Sequence, residues 1–162
     1  MIVKMEGEMI EALLRSNHVG RIGCITADGL PYIVPVTYVY ADDYIYGRAH
    51  EGMKVSAMRD RPHVCFEVDE IQDMAKWKSV ITWGDYEELQ GEDSKRGFEV
   101  MLHQLAPYAT SATFGASSRD LSDFLSRGFR ISVVEGVVYR IHLTKKTGRM
   151  EKPLGVPAEV ET

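Results

Sequence analysis

The segment that most constrains the fold is residues 30–40, which read LPYIVPVTYVY. In an extended strand, successive side chains point to opposite faces. Both faces of this segment are largely apolar, one carrying Tyr32, Val34, Val36, Tyr38 and Tyr40 and the other Ile33, Pro35, Thr37 and Val39. We therefore predict a strand that is buried on both sides. A barrel wall that also packs against a partner or a ligand would provide that environment.

The sequence around this strand predicts an antiparallel meander. Residues 21–27 (RIGCITA) precede it, and Asp28-Gly29 between the two segments is a strong hairpin signal. A turn at Ala41-Asp42-Asp43 leads into a third strand at 44–49 (YIYGRA). Further strands are predicted at 63–71 and 78–89, followed by a hairpin over 129–148 that is broken at Glu135-Gly136.

Helical periodicity is found before and between these strands. Residues 7–20 repeat apolar side chains at a spacing of four, and Gly20 is predicted as the stop signal of that helix. A short helix over about 52–60 is predicted to end before Pro62. A longer helix is predicted over 92–106, where apolar residues recur at helical spacing.

The order of these elements favours one mainly β domain over residues 1–162, an antiparallel β-barrel with peripheral helices. The alternation of strand, helix and strand that marks a Rossmann-type sheet is not seen. Ser117-Ser118-Arg119-Asp120 resembles a capping box that leads into one more helical segment. Residues from about 150 to 162 carry two prolines and little periodicity, so they are predicted to be an extended or flexible tail.

Composition excludes several classes of function. The net charge of −5 disfavours broad nucleic-acid binding, which needs a basic surface. The longest nearly apolar run, 31–41, is too short to span a bilayer. Acidic residues near the N-terminus argue against a signal peptide, and Cys24 and Cys65 lack metal-type spacing. We predict a cytoplasmic protein with two structural thiols and with neither nucleic acid nor membrane as a partner.

The common catalytic motifs are not found in the sequence. It has no G-x-S-x-G elbow, no P-loop and no dinucleotide glycine fingerprint. Its five histidines are scattered, no metal site is predicted, and His63 and His142 are interpreted as structural residues of strands. Acid–base or nucleophilic catalysis by protein side chains alone is therefore not supported.

The residues after the third strand form a candidate anion site. Gly52 permits close backbone approach, and Lys54 is expected in the first helical turn, where free N–H groups and the helix dipole favour a phosphate. Arg48, at the strand end, could add a bidentate contact. The alternative interpretation is an ordinary solvated turn, in which Lys54 and Arg48 are surface cations near Glu51.

Five short motifs follow one another along the chain: D-G-x-P-x-x-x-P-V (28–36), Y-x-R-A-x-E-G-x-K (46–54), P-x-V-C-F-x-V (62–68), S-V-I-x-x-G (79–84) and Y-R-I-x-L (139–143). With this ordered set, the chain from about Gly20 to Arg149 resembles the FMN-binding split-barrel family related to pyridoxamine 5′-phosphate oxidase. The similarity is greatest to its nitroimidazole-resistance-like branch. The resemblance implies an antiparallel split β-barrel and a homodimer with two FMN sites at the interface.

The resemblance also implies which residues hold the flavin. The phosphate would lie at Lys54, with backbone N–H groups from Gly52 and Met53, and Ser79 and Val80 would contact the phosphate or the ribityl chain. The ring would lie along the main chain of Pro35, Val36 and Thr37. Tyr46 and Arg48 would lie at the ribityl chain or the ring edge. Either Trp77 or Trp83 would stack near the ring.

The implied function is an FMN-dependent oxidoreductase or flavin reductase that acts on an unidentified small molecule. Relatives commonly carry His where this chain has Arg48, so a mechanism assigned to that His does not transfer. Arg48 and His50 remain the catalytic candidates. The C-terminal substrate-binding signature of pyridoxamine phosphate oxidases is not recognisable, so vitamin B6 oxidation is not expected. Two alternatives stay open: a carrier or sensor that binds flavin, deazaflavin or haem without turnover, and a dimerisation barrel with an empty slot.

Overall fold

The computed structural model describes residues 1–108 and 136–151, and these residues form seven β-strands, three α-helices and one short 3-10 helix. The strands are β1 (Ile2–Lys4), β2 (Val19–Ile25), β3 (Pro31–Ala41), β4 (Tyr44–Ala49), β5 (His63–Asp73), β6 (Lys76–Glu88) and β7 (Val137–Glu151). The helices are α1 (Gly7–Ser16), α2 (Met53–Asp60) and α3 (Gly91–Leu105), and the 3-10 helix is Ala106–Tyr108.

All strand pairs are antiparallel, in the order β1-β7-β4-β3-β2-β5-β6. β7 also pairs with β6, which closes the sheet into a barrel. One half of β7 pairs with β4 and its last residues pair with β1, so a single long strand joins the edges of the sheet. The predicted antiparallel barrel with peripheral helices is confirmed.

The two predicted turns, at Asp28-Gly29 and at Ala41-Asp42-Asp43, are confirmed. Their backbone angles are ones that glycine and aspartate adopt more readily than most residues. Gly29 has a φ of 84°, and the Thr26 N–H donates to the Leu30 carbonyl oxygen at 2.9 Å across the β2–β3 loop. Asp42 and Asp43 have φ values of 50° and 65°, in the left-handed region that aspartate tolerates better than most residues. The β3–β4 hairpin therefore turns in two residues.

The core fills the barrel and extends beneath the helices. β3 contributes three tyrosines and two valines to the inner face, of which Tyr38 is fully buried. α1 packs near the C-terminal end of β3 through Ile10, Leu13 and Leu14, and α2 inserts Val55 and Met58 into the same core. α3 covers a second cluster on the outer face, made of Val39, Leu89, Phe98, Met101, Leu102, Leu105 and Val138.

The outer face of β3 is covered by this chain along only part of its length. Val39 is fully buried under α3, whereas Ile33 is 72% exposed and Pro35 is exposed. Within residues 1–108 and 136–151, α3 packs against β3 only near its C-terminal end, and this leaves the N-terminal half of the outer face open. The inner face and the Val39 end of the outer face are thus buried within the chain, and cover of the rest by a partner or a ligand stays a prediction.

Three boundaries also differ from the prediction. Gly20 lies inside β2 and does not stop α1, which ends at Ser16; a Cβ at Gly20 would meet the Phe66 ring at 2.2 Å, so close packing requires glycine. β1 was not predicted, and β7 continues to Glu151, beyond the expected start of the tail. The capping-box segment, the first half of the 129–148 hairpin and residues 152–162 lie outside the described residues.

Candidate functional site

The junction between β4 and α2 places Gly52 as the helix N-cap and Lys54 in the first turn. The first helical hydrogen bond runs from the Ser56 N–H to the Gly52 carbonyl oxygen, at 3.0 Å. The N–H groups of the residues between them belong to the first turn, where a helix offers donors without intrahelical partners. The space beside Gly52 is open, because a Cβ there would meet no atom within 4 Å. Backbone donors of the first turn therefore lie beside an accessible volume, and Lys54 belongs to the same turn.

Lys54 is a half-buried cation. Burial lowers its pKa from the usual lysine value, and the neighbouring Cys24 thiol acts weakly in the opposite direction. No carboxylate of the described residues forms an ion pair with this ammonium group. Desolvation without a compensating anion is unfavourable for a lysine, so the arrangement favours a negatively charged ligand.

Arg59, in the last turn of α2, binds two carboxylates at once. Its Nη1 and Nη2 donate to Glu51 at 2.8 and 2.7 Å, and its Nε and Nη2 donate to Glu88 at 2.6 and 2.7 Å. These hydrogen bonds raise the pKa of the Arg59 guanidinium and lower that of the Glu88 carboxyl. The contacts tie the start of α2 to the end of β6. They also neutralise Glu51, which precedes the first turn where an anion would bind.

The outer faces of β2, β3, β5 and β6 form a second surface, on which Pro35, Arg21, Glu67 and Ile81 lie in one row across the sheet. Arg21 donates to Glu67 at 3.1 Å and to Asp69 at 2.6 Å. The Ser79 hydroxyl donates to Glu67 at 2.9 Å. Ser79 lies between Asp69 of β5 and Arg149 of β7, so charges of both signs flank this position.

Residues 6–150 match the protein family described as pyridoxamine 5′-phosphate oxidase. The chain belongs to this family. Over 85 residues it is 33% identical to an uncharacterized protein of Rhizobium meliloti, a match that covers 52% of this chain and 56% of that protein. The match thus spans about half the length of that relative.

Solved structures show the same split-barrel fold. A FAD-binding protein from Mesorhizobium loti superposes with a TM-score of 0.71 at 27% identity, covering 94% of this chain and 99% of that one. A candidate 5-nitroimidazole antibiotic resistance protein from Bacteroides thetaiotaomicron has a TM-score of 0.67 at 16% identity, covering 93% of this chain and 87% of that one. The predicted membership of a flavin-binding split-barrel family is confirmed.

The residues predicted to bind the flavin lie in three locations in this protein. Gly52, Met53 and Lys54 lie together at the start of α2. Val36 and Val80 are buried in the barrel core, so they can offer a ligand only main-chain atoms. The remaining predicted residues have side chains on the outer faces of their strands: Pro35, Thr37, Tyr46, Arg48 and Ser79.

The aromatic and titratable candidates are separated as well. Trp83 is paired across the sheet with Cys65 and lies beneath Lys145, whose Nζ is 4.9 Å from the ring centroid. Trp77 lies farther along β6 and donates from Nε1 to Glu151 at 3.0 Å. His50 is exposed in the segment between β4 and α2. Of the two tryptophans, Trp83 lies nearer the middle of the open outer face.

Sequence reasoning missed Arg59 and a cavity of about 470 Å³ between the β2–β3 hairpin and α2. The cavity is lined on the helix side by residues that include Met53, Ser56 and Asp60. Their spacing of three and four residues places them on one helix face, and this was the available signal. The acidic partners of Arg59 come from separate parts of the chain, so no local pattern identifies them.

Two further observations bound the chemistry of the site. The described residues contain no group of three or more His, Cys, Asp or Glu side chains arranged to hold a metal ion. Within the same ranges, no helix combines the length and apolar character that a bilayer crossing requires.

Proposed function

We propose that this protein binds a flavin nucleotide, FMN as the minimal ligand, and acts as an oxidoreductase on a small molecule. The observation that carries the proposal is Lys54, a half-buried ammonium that no carboxylate of the described residues neutralises. A phosphate dianion would supply the missing charge and would also accept hydrogen bonds from the first turn of α2. The Mesorhizobium relative, which is described as FAD-binding, supports a flavin as the ligand.

The residues around Lys54 fit this ligand. The open space in front of Gly52 admits a phosphate close to the backbone. Arg59 holds the Glu51 carboxylate in a bidentate pair and so reduces its repulsion of an anion. A bound flavin would supply the redox chemistry itself, and the protein would bind, orient and shield it.

The open outer face of the barrel is the surface on which we place the flavin ring and a second subunit. Ile33 is 72% exposed, Val19 58% and Ile81 41%, and all three side chains point to the same side of the sheet. Large exposed apolar side chains that share one face with the charged Arg21 and Glu67 are typical of a binding surface. We infer a homodimer in which two copies enclose the flavin rings, in a cytoplasmic setting where Cys24 and Cys65 remain reduced.

The decisive experiment compares FMN with riboflavin, which lacks the phosphate, by fluorescence titration. The wild-type protein should bind FMN, and Lys54→Met should weaken FMN binding about 10- to 100-fold, since a charge-assisted contact contributes roughly 1.5–3 kcal/mol. Riboflavin affinity should be the same in both proteins. Lys4→Met, which removes an exposed lysine of β1, is the control and should bind FMN normally. A wild-type protein that ignores FMN, or an unaffected Lys54→Met variant, would overturn the proposal.

Turnover is tested separately from binding. Rapid mixing of the FMN-loaded protein with NADH or NADPH should bleach the flavin absorbance, and an added acceptor should restore it. A stable flavin spectrum with both donors would identify a carrier or sensor. The absorption spectrum of protein purified without added ligand also distinguishes flavin from haem.

A further inference from the structure

The tip of the β5–β6 hairpin, residues 71–77, is an apolar projection. Residues 71–76 are all exposed. Met74, in the turn, is 95% exposed, and Ile71 is 69% exposed beside its cross-strand partner Trp77. Among the described residues, β2 pairs with β5 only at residues 65–67, and β7 pairs with β6 no farther than Lys78, so the tip extends past both neighbouring strands. Large apolar side chains on such a projection are typical of a contact surface.

The cavity between the β2–β3 hairpin and α2 lies at the opposite end of the barrel. It follows the end of β2, and the tip follows the end of β5, which runs antiparallel to β2. The cavity is half open, measures about 470 Å³ and is lined almost wholly by apolar atoms, those of Pro31, Tyr32 and Ala57 among them. Leu30 and Met53, also on its lining, are each 60% exposed. Such a cavity suits an apolar side chain better than a phosphate or a sugar.

The tip and the cavity are equally far from the middle of the open outer face. That middle is the row across the sheet made of Pro35, Arg21, Glu67 and Ile81. In β5 the tip residue Ile71 lies four residues after Glu67, and in β3 the cavity residue Pro31 lies four residues before Pro35. At the rise of a strand, both are about 13 Å from the row. A two-fold axis through the row, in the plane of the face, therefore brings the tip of each copy to the cavity of the other.

The charges of the tip and of the cavity are complementary. Asp28 and Asp60 are exposed carboxylates on the cavity lining. Lys76 of the tip is exposed and forms no ion pair within residues 1–108 and 136–151. Asp73, the acidic residue of the tip, is turned to its own hairpin, where its carboxylate accepts a hydrogen bond from the Ala75 N–H at 2.8 Å. A second copy thus offers an apolar side chain and a cation to an apolar cavity with two carboxylates.

We propose that the hairpin tip of one copy docks into the cavity of a second copy, with Met74 on the apolar lining and Lys76 beside the carboxylates. The proposal rests on the homodimer of the proposed function and adds the segments through which the two copies recognise each other. Met53 lines the cavity and directly precedes Lys54, so the docked tip covers one side of the anion site of the other copy. Each candidate site is therefore incomplete in a single chain.

The first test is a disulfide between two copies. Met74→Cys combined with Ser56→Cys, which lies on the cavity lining, should give a covalent dimer on a non-reducing gel after mild oxidation. Both are made with Cys65→Ser, which removes the half-exposed native thiol. The two new thiols are at opposite ends of one chain, so their disulfide joins two chains. A folded protein that forms no covalent dimer would overturn the docking contact.

The matched control keeps the thiol at the tip and moves its partner. Met74→Cys combined with Ala12→Cys, in the same Cys65→Ser background, places the second thiol at an exposed position on α1. It should remain a single chain on the gel, because α1 lies at the same end of the barrel as the tip. A covalent dimer of this control would show that the tips meet each other or α1, and would reject the proposed arrangement.

The second test measures the dimer without a cross-link. Met74→Asp should raise the dissociation constant of the dimer about 10-fold or more in sedimentation velocity runs over a dilution series, since it places a carboxylate on the apolar lining. Met9→Asp, which changes a methionine of α1 that is 38% exposed, is the control and should dimerise as the wild type does. Equal dissociation constants for Met74→Asp and wild type would overturn the docking, as would a wild-type protein that remains monomeric.

An FMN titration of the same samples keeps the two proposals apart. A covalent dimer that ignores FMN retains the docking contact and rejects the proposed function. A protein that binds FMN as a dimer without forming the disulfide rejects the docking contact alone.

Discussion

Two lysines near opposite ends of β3 have opposite electrostatic environments. Lys146, beside α1, donates to Glu11, to Asp43 and, at 2.7 Å, to the Tyr40 hydroxyl. Burial disfavours its charge, but these partners raise its pKa above the usual lysine value. Lys54, at the start of α2, has no carboxylate partner among the described residues, and burial lowers its pKa. A lysine that the protein itself neutralises has a structural role, whereas one left uncompensated indicates a place for an external anion.

Two buried tyrosines show the same contrast. The Tyr38 hydroxyl donates to the Leu14 carbonyl oxygen of α1 at 2.9 Å. The Tyr139 hydroxyl is fully buried and finds no hydrogen-bond partner among residues 1–108 and 136–151; it packs against Gly47, where a Cβ would meet it at 2.3 Å. Tyr139 neighbours Tyr86, whose hydroxyl donates to the Glu88 carboxylate held by Arg59 of α2. Of these two buried hydroxyls, the one near α1 is hydrogen-bonded and the one near α2 has no partner among the described residues.

The largest expected effect on stability comes from removing the neutralised lysine. Lys146→Met leaves Glu11 and Asp43 near each other with only the exposed Arg15, 3.5 Å from Glu11, as a remaining cation, and it should lower the free energy of unfolding by about 2 kcal/mol. Lys54→Met should change it by less than about 0.5 kcal/mol or increase it, because a desolvated charge is removed. Urea denaturation of both variants measures the difference. Similar losses in the two variants would break the contrast between the lysines.

Acid should remove the stabilisation that Lys146 provides. Burial of Glu11 opposes its ionisation, but hydrogen bonds from Lys146 and Tyr40 bring its pKa below the usual value of 4.5. The hydrogen bond from Lys146 likewise lowers the pKa of Asp43 below 3.8. Groups with depressed folded-state pKa values stabilise the protein above their unfolded pKa and lose that contribution as pH falls through the folded values.

The stability difference between wild type and Lys146→Met should therefore be greatest near neutral pH and should shrink below about pH 4. Urea denaturation at a series of pH values measures it. A difference that stays constant down to about pH 3 would show that the cluster does not depend on ionised carboxylates.

A smaller effect is expected from the two tyrosines. Tyr38→Phe removes a buried hydrogen bond and leaves the Leu14 carbonyl oxygen without it, so a loss of about 1 kcal/mol is expected. Tyr139→Phe removes a hydroxyl that has no partner among the described residues, and stability should stay within about 0.5 kcal/mol of wild type or rise. Thermal unfolding of the pair gives the comparison. A clear loss in Tyr139→Phe would reveal a partner for that hydroxyl.

The smallest expected effect concerns Arg59, because exposed ion pairs contribute little to stability. Arg59→Gln should leave the urea denaturation midpoint close to that of the wild type. It should weaken FMN binding about threefold, since Glu51 would then oppose the phosphate without compensation. Adding Glu51→Gln should restore the affinity. A double variant that binds as weakly as Arg59→Gln would assign the loss to altered positioning of α2 and not to the charge of Glu51.

Elements with a strong local signal were predictable from sequence. The residues of β4 were predicted at their observed bounds, because alternating side chains lie between an aspartate turn and a glycine-containing segment. β1 was not predictable, since three residues carry no periodicity and the strand exists only through pairing with β7. Gly20 was wrongly interpreted as a helix stop. The true reason for this glycine is its close contact with Phe66, which is far away in sequence and leaves no local pattern.

In the candidate site, too, local features were predictable from sequence and long-range contacts were not. The position of Lys54 in the first turn of α2 was predictable from the glycine and the helical pattern that follows it. Its half-burial depends on how α2 packs against the barrel, which a single sequence does not show. The pairing of Arg59 with Glu51 and Glu88, and the cavity beside Tyr32, likewise depend on contacts between separate segments.

The long strand β7 has a consequence for how the chain folds during synthesis. It pairs with β4, β6 and β1, and Glu151 lies opposite Ile2. A nascent chain can form the β2–β3–β4 meander early, but the barrel closes only after residues 137–151 have left the ribosome. Such distant pairings form slowly because a long loop must be ordered first. Until then the strand edges of β4 and β6 are unpaired, which makes this interval the most vulnerable to aggregation.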